Sequence, residues 1–218
     1  MSDVQVKICG LKTPEDVAAV CEAGADLCGL TFIERSKRFV TPSIATDLAD
    51  RAAPHLTRVA LTLDASDAWL DEIVAQVGID MIQLHGHETP ERVQAVKERY
   101  GLPVMKAIGV ADAEDVAEIE RYTPVADWIL LDAKPPTSSE LPGGNGLSFD
   151  WKLIADVSWD VPWMLAGGLT PETVGAAIEH TGARMVDVAS GVEAEPGRKD
   201  PAKVRAFVEA ARSARAVI

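Results

Sequence analysis

Short apolar runs alternate along the whole chain with longer stretches in which apolar and polar positions mix. The runs fall at Val4–Cys9, Leu27–Phe32, Arg58–Leu63, Met81–His85, Val104–Ile108, Trp128–Asp132, Trp163–Ala166 and Met185–Ser190, and each is read as a strand. The stretches between them carry a helical period. Helices are expected near Pro14–Glu22, Pro42–Ala52, Asp67–Gln76, Pro90–Tyr100, Ala113–Tyr122, Trp151–Ala155, Pro171–His180 and Pro201–Ala214. Strict alternation of strand and helix implies parallel strands joined by crossover helices.

The punctuation agrees with this pattern. Thr13-Pro14, Thr41-Pro42, Thr89-Pro90, Thr170-Pro171 and Asp200-Pro201 each set a capping side chain before a proline at the first helical position. Gly24, Gly78, Gly101 and Gly182 stand just past helix ends, where a left-handed residue is favoured. Eight units close naturally into a barrel. The alternative is an open doubly wound sheet, which usually carries a glycine-rich fingerprint after its first strand. Here that strand ends in Cys9-Gly10-Leu11-Lys12, so the expectation is an α/β fold, a (β/α)8 TIM barrel of eight parallel strands, with residues 1–218 as one domain.

In such barrels chemistry sits at the C-terminal strand ends. Those ends offer Cys9, His85 and Asp132 as groups that exchange protons. Side chains alternate between barrel interior and helix layer. With Val6 and Ile8 facing the helices, Gln5, Lys7 and Cys9 point inward; Gln83 and His85 share the inward face of the fourth strand. Position alone leaves alternatives open. Cys9 is a reactive thiol or a small buried hydrophobe, Asp132 a proton donor or a loop cap, and His85 a site residue or a structural one.

Two glycine-containing turns end the last two strands, Ala166-Gly167-Gly168-Leu169 and Ala189-Ser190-Gly191-Val192-Glu193. Loops at these positions often hold phosphate, because glycine lets backbone N–H groups approach an anion. Arg38, in the loop after the second strand, is either a fork for a carboxylate or a solvated surface charge. The segment 134–148 is the longest irregular stretch, rich in Pro, Ser and Gly, and its Gly143-Gly144-Asn145-Gly146 run is either a flexible cover or a turn.

Composition narrows the partners. The net charge of −13 speaks against nucleic acid and against an anionic membrane surface. An anionic small molecule must then be held by local donors. Three cysteines without framework spacing imply reduced thiols and a cytoplasmic protein. The N-terminus has no signal-peptide run, no stretch is long and apolar enough to span a membrane, and none of the cysteines, His85 or Asp132 makes metal-ligand spacing with another, so no metal site is expected.

Taken together and in order, seven sets of residues resemble the phosphoribosylanthranilate isomerase family along essentially the whole chain. They are Val6-Lys7-Ile8-Cys9-Gly10-Leu11, Ser36-Lys37-Arg38, Ile82-Gln83-Leu84-His85-Gly86, Leu130-Leu131-Asp132, Gly143-Gly144-Asn145-Gly146 with Phe149-Asp150-Trp151, Leu165-Ala166-Gly167-Gly168-Leu169, and Val186-Asp187-Val188 with Ser190-Gly191-Val192-Glu193. The resemblance implies a cofactor-free Amadori rearrangement of N-(5′-phosphoribosyl)anthranilate in tryptophan biosynthesis. It implies Cys9 as base, Asp132 as acid, Arg38 as holder of the anthranilate carboxylate, and Gly167, Gly168, Ser190 and Gly191 as the phosphate site. His85, Gly144, Gly146 and Asp187 would line the site. The partners implied are a small phosphorylated substrate and, at most, a second copy of the chain. Two segments depart from the family pattern, Val59–Ala65 after the third strand and Thr31–Arg35 after the second. The histidine-pathway Amadori isomerase is the nearest rival. Its pattern has acids ending strands one and five, where this chain has Cys9 and the vicinity of Gly109.

Overall fold

The computed structural model describes residues 4–53, 55–133, 151–155, 157 and 159–214. Strands β1 (Gln5–Cys9), β2 (Leu27–Thr31), β3 (Thr57–Thr62), β4 (Met81–Leu84), β5 (Val104–Val110), β6 (Trp128–Ala133), β7 (Trp163–Ala166) and β8 (Met185–Val188) close into a barrel in chain order. All pairings in it are parallel, and β8 returns to β1. Helices α1 (Pro14–Ala23), α2 (Pro42–Ala52), α3 (Asp67–Gln76), α4 (Pro90–Tyr100), α5 (Ala113–Ile119), α6 (Lys152–Ala155), α7 (Val174–Thr181) and α8 (Pro201–Ser213) complete the units. The fold is the expected (β/α)8 barrel.

Strand parity divides the apolar residues into two cores. Val6, Ile8, Cys28, Leu30, Ile82 and Leu84 face outward and pack against helix residues such as Val17, Leu48, Val93 and Phe207. Leu27, Val59, Met81, Met105, Leu130, Met164 and Met185 fill the barrel itself. Above this plug the interior turns polar, with Lys7, Gln83 and Asp187 buried. The N-terminal face is tied by a repeated device. Asp26, Asp80 and Asp127, each just before an even strand, accept the N–H of Val6, Arg58 and Val104 on the preceding odd strand at 2.8, 2.8 and 2.9 Å.

Thr13, Thr41, Thr89 and Asp200 cap their helices as the Xaa-Pro pattern predicts, and Thr13 forms a reciprocal box with Asp16. Gly24, Gly101 and Gly182 are left-handed caps. Several boundaries differ from expectation. Gly78 is not a cap, because α3 closes one residue earlier on the buried, extended Val77. Helix α7 starts at Val174, not Pro171: the Thr173 hydroxyl accepts the Thr170 N–H at 3.0 Å and forms a side-chain turn first. Helix α5 ends at Ile119, short of Tyr122, as the chain tightens through Tyr122 N–H bonding to the Ile119 carbonyl. The eighth strand stops at Val188, and Ser190–Val192 form a 3₁₀ turn instead of its last residues. A hairpin of β9 (Glu193–Glu195) and β10 (Arg198–Lys199) follows, which the apolar pattern does not announce. The segment 134–148, with Gly144 and Gly146, lies outside the described residues.

Candidate active site

The C-terminal end of the barrel opens into a cavity of about 290 Å³. Cys9, Arg38, His85, Asp132, Gly167, Gly168, Asp187, Ser190 and Gly191 all line it. The sequence-derived candidates within the described residues therefore meet in one place. Each arrives by the same route: a strand directs an inward side chain, and the turn after it bends away.

Cys9 ends β1 on the inward face. It has room for its sulfur because β2 carries glycine opposite: Cys9 pairs with Gly29, where a Cβ would come within 2.6 Å of the Cys9 Sγ. Burial pushes the Cys9 thiol above its ordinary value, and the nearby Lys7 and Lys199 ammonium groups only partly offset this. Lys7 is wholly buried, with its Nζ 3.0 Å from Asp187 Oδ1. Burial opposes its charge, but Asp187 and Cys9 more than compensate, and its pKa is raised.

Asp132 comes from β6, on the far side of the mouth from β2. Its Oδ2 lies 3.4 Å from His85 Nε2, and His85 Nδ1 lies 3.0 Å from the Gln83 side-chain nitrogen. Asp132 is thus in a row with His85 and Gln83, at a longer, weaker contact to His85. The Thr31 hydroxyl, buried at the cavity wall, has no hydrogen-bond partner among the described residues. Beside the mouth, Glu88 pins the loops after β3 and β4. It accepts the Asp64 and Gly86 N–H groups at 2.8 and 2.9 Å and pairs with buried Lys106 at 3.0 Å.

Arg38 reaches the cavity across Gly10, where a Cβ would stand 2.3 Å from the Arg38 Cδ. Its guanidinium is not a solvated surface charge. Nε and Nη2 donate to the two Glu193 oxygens at 2.7 and 2.8 Å, and Lys199 donates to the same carboxylate at 3.0 Å. Burial would raise the Glu193 carboxyl, but Arg38 and Lys199 hold it below its usual range. Lys199 itself is shifted down by burial despite Glu193. One edge of the Arg38 fork is committed, which leaves Nη1 and the second Nη2 proton for a ligand.

The two glycine turns form one unit. Gly167 and Gly168 are left-handed, with φ of 88° and 63°. Gly191 packs so tightly on the other turn that a Cβ would fall 2.0 Å from the Leu169 carbonyl oxygen. Among the described residues no group of three His, Cys, Asp or Glu side chains is arranged for a metal, and no helix is long and apolar enough to cross a membrane.

Sequence reasoning placed Lys7 on the inward face but gave it no role, named Thr31 and Glu193 only within longer segments, and passed over Lys199. For Lys7 the parity shared with Cys9 was the available signal. Glu193 stood in a segment that resembles the family, but its pairing with Arg38, 155 positions away, left no mark there.

A profile of the family described as "PRAI: N-(5'phosphoribosyl)anthranilate (PRA) isomerase" matches residues 6–210. An N-(5'-phosphoribosyl)anthranilate isomerase of Cereibacter sphaeroides is 56% identical over 212 residues, covering 97% of this chain and 100% of its own. One from Ruegeria sp. is 56% identical over 214 residues, covering 98% and 100%. The crystal structure of phosphoribosyl anthranilate isomerase from Thermotoga maritima superposes with a TM-score of 0.86 at 35% identity, over 96% of this chain and 99% of that one. A structure of the isomerase in complex with reduced 1-(o-carboxyphenylamino)-1-deoxyribulose 5-phosphate gives 0.83 at 33% identity, over 96% and 99%.

Proposed function

The chain belongs to the N-(5′-phosphoribosyl)anthranilate isomerase family, and from that premise we propose that Cys9 is its general base and Asp132 its general acid. It is an isomerase of tryptophan biosynthesis that converts N-(5′-phosphoribosyl)anthranilate to 1-(2-carboxyphenylamino)-1-deoxyribulose 5-phosphate. The reaction is an internal oxidation and reduction: C2′ is oxidised from alcohol to ketone while C1′ is reduced, so atoms and electrons balance within the substrate.

The Asp132 carboxyl gives its proton to the furanose ring oxygen. The C1′–O bond breaks as the anthranilate nitrogen pushes in its lone pair, and a Schiff base forms. The Cys9 thiolate then takes the proton from C2′, whose electrons pass through C1′ to the nitrogen and leave an enolamine. Tautomerisation places a proton on C1′ and a carbonyl at C2′. The reading is carried by one observation. The ends of β1 and β6 present a thiol and a carboxyl to a single cavity, so a sugar held there has one on either side.

In the same proposal Arg38 holds the anthranilate carboxylate through Nη1 and the remaining Nη2 proton, with Glu193 fixing the plane of its guanidinium. Backbone N–H groups at Gly167, Gly168, Ser190 and Gly191 receive the phosphate, which fits an acidic chain that must bind an anion locally. His85 and Asp187 border the sugar. Residues 1–218 act as one catalytic domain, as a monomer or homodimer, in a reducing cytoplasm that suits three unpaired cysteines. The test is the loss of substrate fluorescence on turnover. The purified protein is expected to show it, and Cys9→Ala and Asp132→Asn to suppress it. Unchanged turnover in either folded variant removes that residue from the mechanism.

A further inference from the structure

The barrel interior contains a charge that the proposed steps do not use. Lys7 is fully buried on the inward face of β1, and its register partner on β8 is Asp187, with Nζ and Oδ1 3.0 Å apart. Cys9 stands two residues further along the same face, and Cys9 and Asp187 both line the cavity. A buried ion pair is a poor packing device, since well-packed hydrophobes of similar volume often serve as well or better. Just below it the barrel is filled by methionine, leucine and valine, so the apolar solution was available.

Among the described residues the charged groups around Cys9 are few. Asp187 faces it from β8, Lys199 from β10, and Arg38 from the loop after β2. Lys199 and Arg38 are already joined to Glu193. Cys28 on β2 points to the helix layer. Lys7 lies on the strand of Cys9, fully buried, with a single carboxylate partner among the described residues.

We infer that Lys7 is a positioning residue for the isomerisation: its ammonium, held by Asp187 and placed two residues before Cys9 on the same inward face, is the fixed counter-charge that makes the Cys9 thiolate available as base. The inference rests on the reading of Cys9 as base. Burial pushes the thiol up, and Lys7 is the largest influence in the opposite direction. Asp187 has the reverse effect on the thiol, so it tempers Lys7 as well as holding it in place. A base that must be ionised while its partner acid is protonated works in the less populated combination whenever the thiol titrates above the carboxyl. Each further pH unit between them then thins the active form about tenfold.

The ionisation of Cys9 is read as the ultraviolet thiolate absorbance of the protein minus that of its Cys9→Ala variant, as a function of pH. Lys7→Met is expected to raise the midpoint by about one pH unit or more. Its kcat should fall in the same proportion, with KM little changed, and the alkaline limb of the rate profile should move up with the midpoint. Lys7→Arg keeps the charge and is expected to stay closer to the unaltered protein. Lys7→Met leaves Asp187 buried without a partner, so Lys7→Met/Asp187→Leu provides a folded alternative. Its midpoint should still rise, by less. A midpoint unmoved in the folded Lys7 variants overturns the inference, whatever happens to kcat. Full kcat in Cys9→Ala overturns instead the reading of Cys9 as base, and the thiol titration then still reports whether Lys7 and Cys9 are coupled.

Discussion

Gly29 is the residue that lets Cys9 be where it is. A methyl group there would press on the Cys9 sulfur at 2.6 Å, inside a barrel that has little give. Gly29→Ala is expected to cost about 1–3 kcal/mol of stability by overpacking. It should lower kcat more than it alters KM, as checked by thermal melting and steady-state kinetics on the same sample. The acid–base pair itself should respond more sharply. Removing a general acid or base typically costs about 10²–10⁴-fold, so Cys9→Ala and Asp132→Asn should each lose about that much kcat with substrate binding kept. Cys9→Ser should recover little, since a hydroxyl is a far weaker base. For Arg38, a lost charge-assisted pair is worth about 1.5–3 kcal/mol, or roughly 10–100-fold in kcat/KM on Arg38→Ala. Glu193→Gln should raise KM with kcat nearly intact, because the fork stays but is held less firmly; a fall in kcat alone would show that Glu193 does something else. At this scale the place of a side chain at the cavity was readable where strand end and parity coincide, as at Cys9 and His85. The sequence was unreadable where a partner is distant, as with Arg38 and Glu193, or with Lys7, whose inward place followed from parity but whose pairing with Asp187, 180 positions on, did not.

The elements that hold the site are turns more than strands. Strand positions followed from apolar runs because both cores demand alternating side chains, and four of the five Xaa-Pro helix starts held because cap and proline act locally. Thr170-Pro171 failed because the hydroxyl three residues on competes for the same backbone. The hairpin of β9 and β10 was invisible because its one buried pair, Glu193 opposite Lys199, is ionic where an apolar pair would have left a pattern. The turn after β8 carries the clearest prediction at this scale. It rests on the turn after β7 through Gly191, where a side chain meets the Leu169 carbonyl oxygen at 2.0 Å. Gly191→Ala should therefore spread the two turns apart. Inorganic phosphate, measured as a competitive inhibitor, should bind at least about tenfold more weakly, equivalent to about 1.4 kcal/mol. An unchanged inhibition constant would place the phosphate elsewhere.

Over the whole molecule, acid is where carboxylates that hold the barrel together should give way. Asp80 receives the Arg58 fork at 2.7 and 2.8 Å and the Arg58 N–H at 2.8 Å, and the fork holds its carboxyl below the usual range. Glu193 is likewise low, because Arg38 and Lys199 outweigh its burial. Both groups bind a proton less readily in the folded chain than in the unfolded one. Their contribution is therefore complete above the ordinary carboxyl values, near about 4, and is lost as pH falls through the lower folded values. Asp80 keeps 40% of its side chain exposed, so solvent screening limits its share to about 1 kcal/mol or less. That corresponds to roughly 2–4 °C in Tm for a chain of this size. Asp80→Asn retains an oxygen for the Arg58 N–H but loses the charge opposite its guanidinium. At neutral pH it should melt that much lower than the unaltered protein. As pH drops below about 4 the two melting curves should converge, because protonation does to Asp80 what the substitution has already done. The net charge of −13 also changes with acid, but it changes in both proteins, so the difference in Tm isolates the anchor. A gap that stays constant down to the pH of unfolding would mean that the Arg58–Asp80 pair contributes through shape and not through charge.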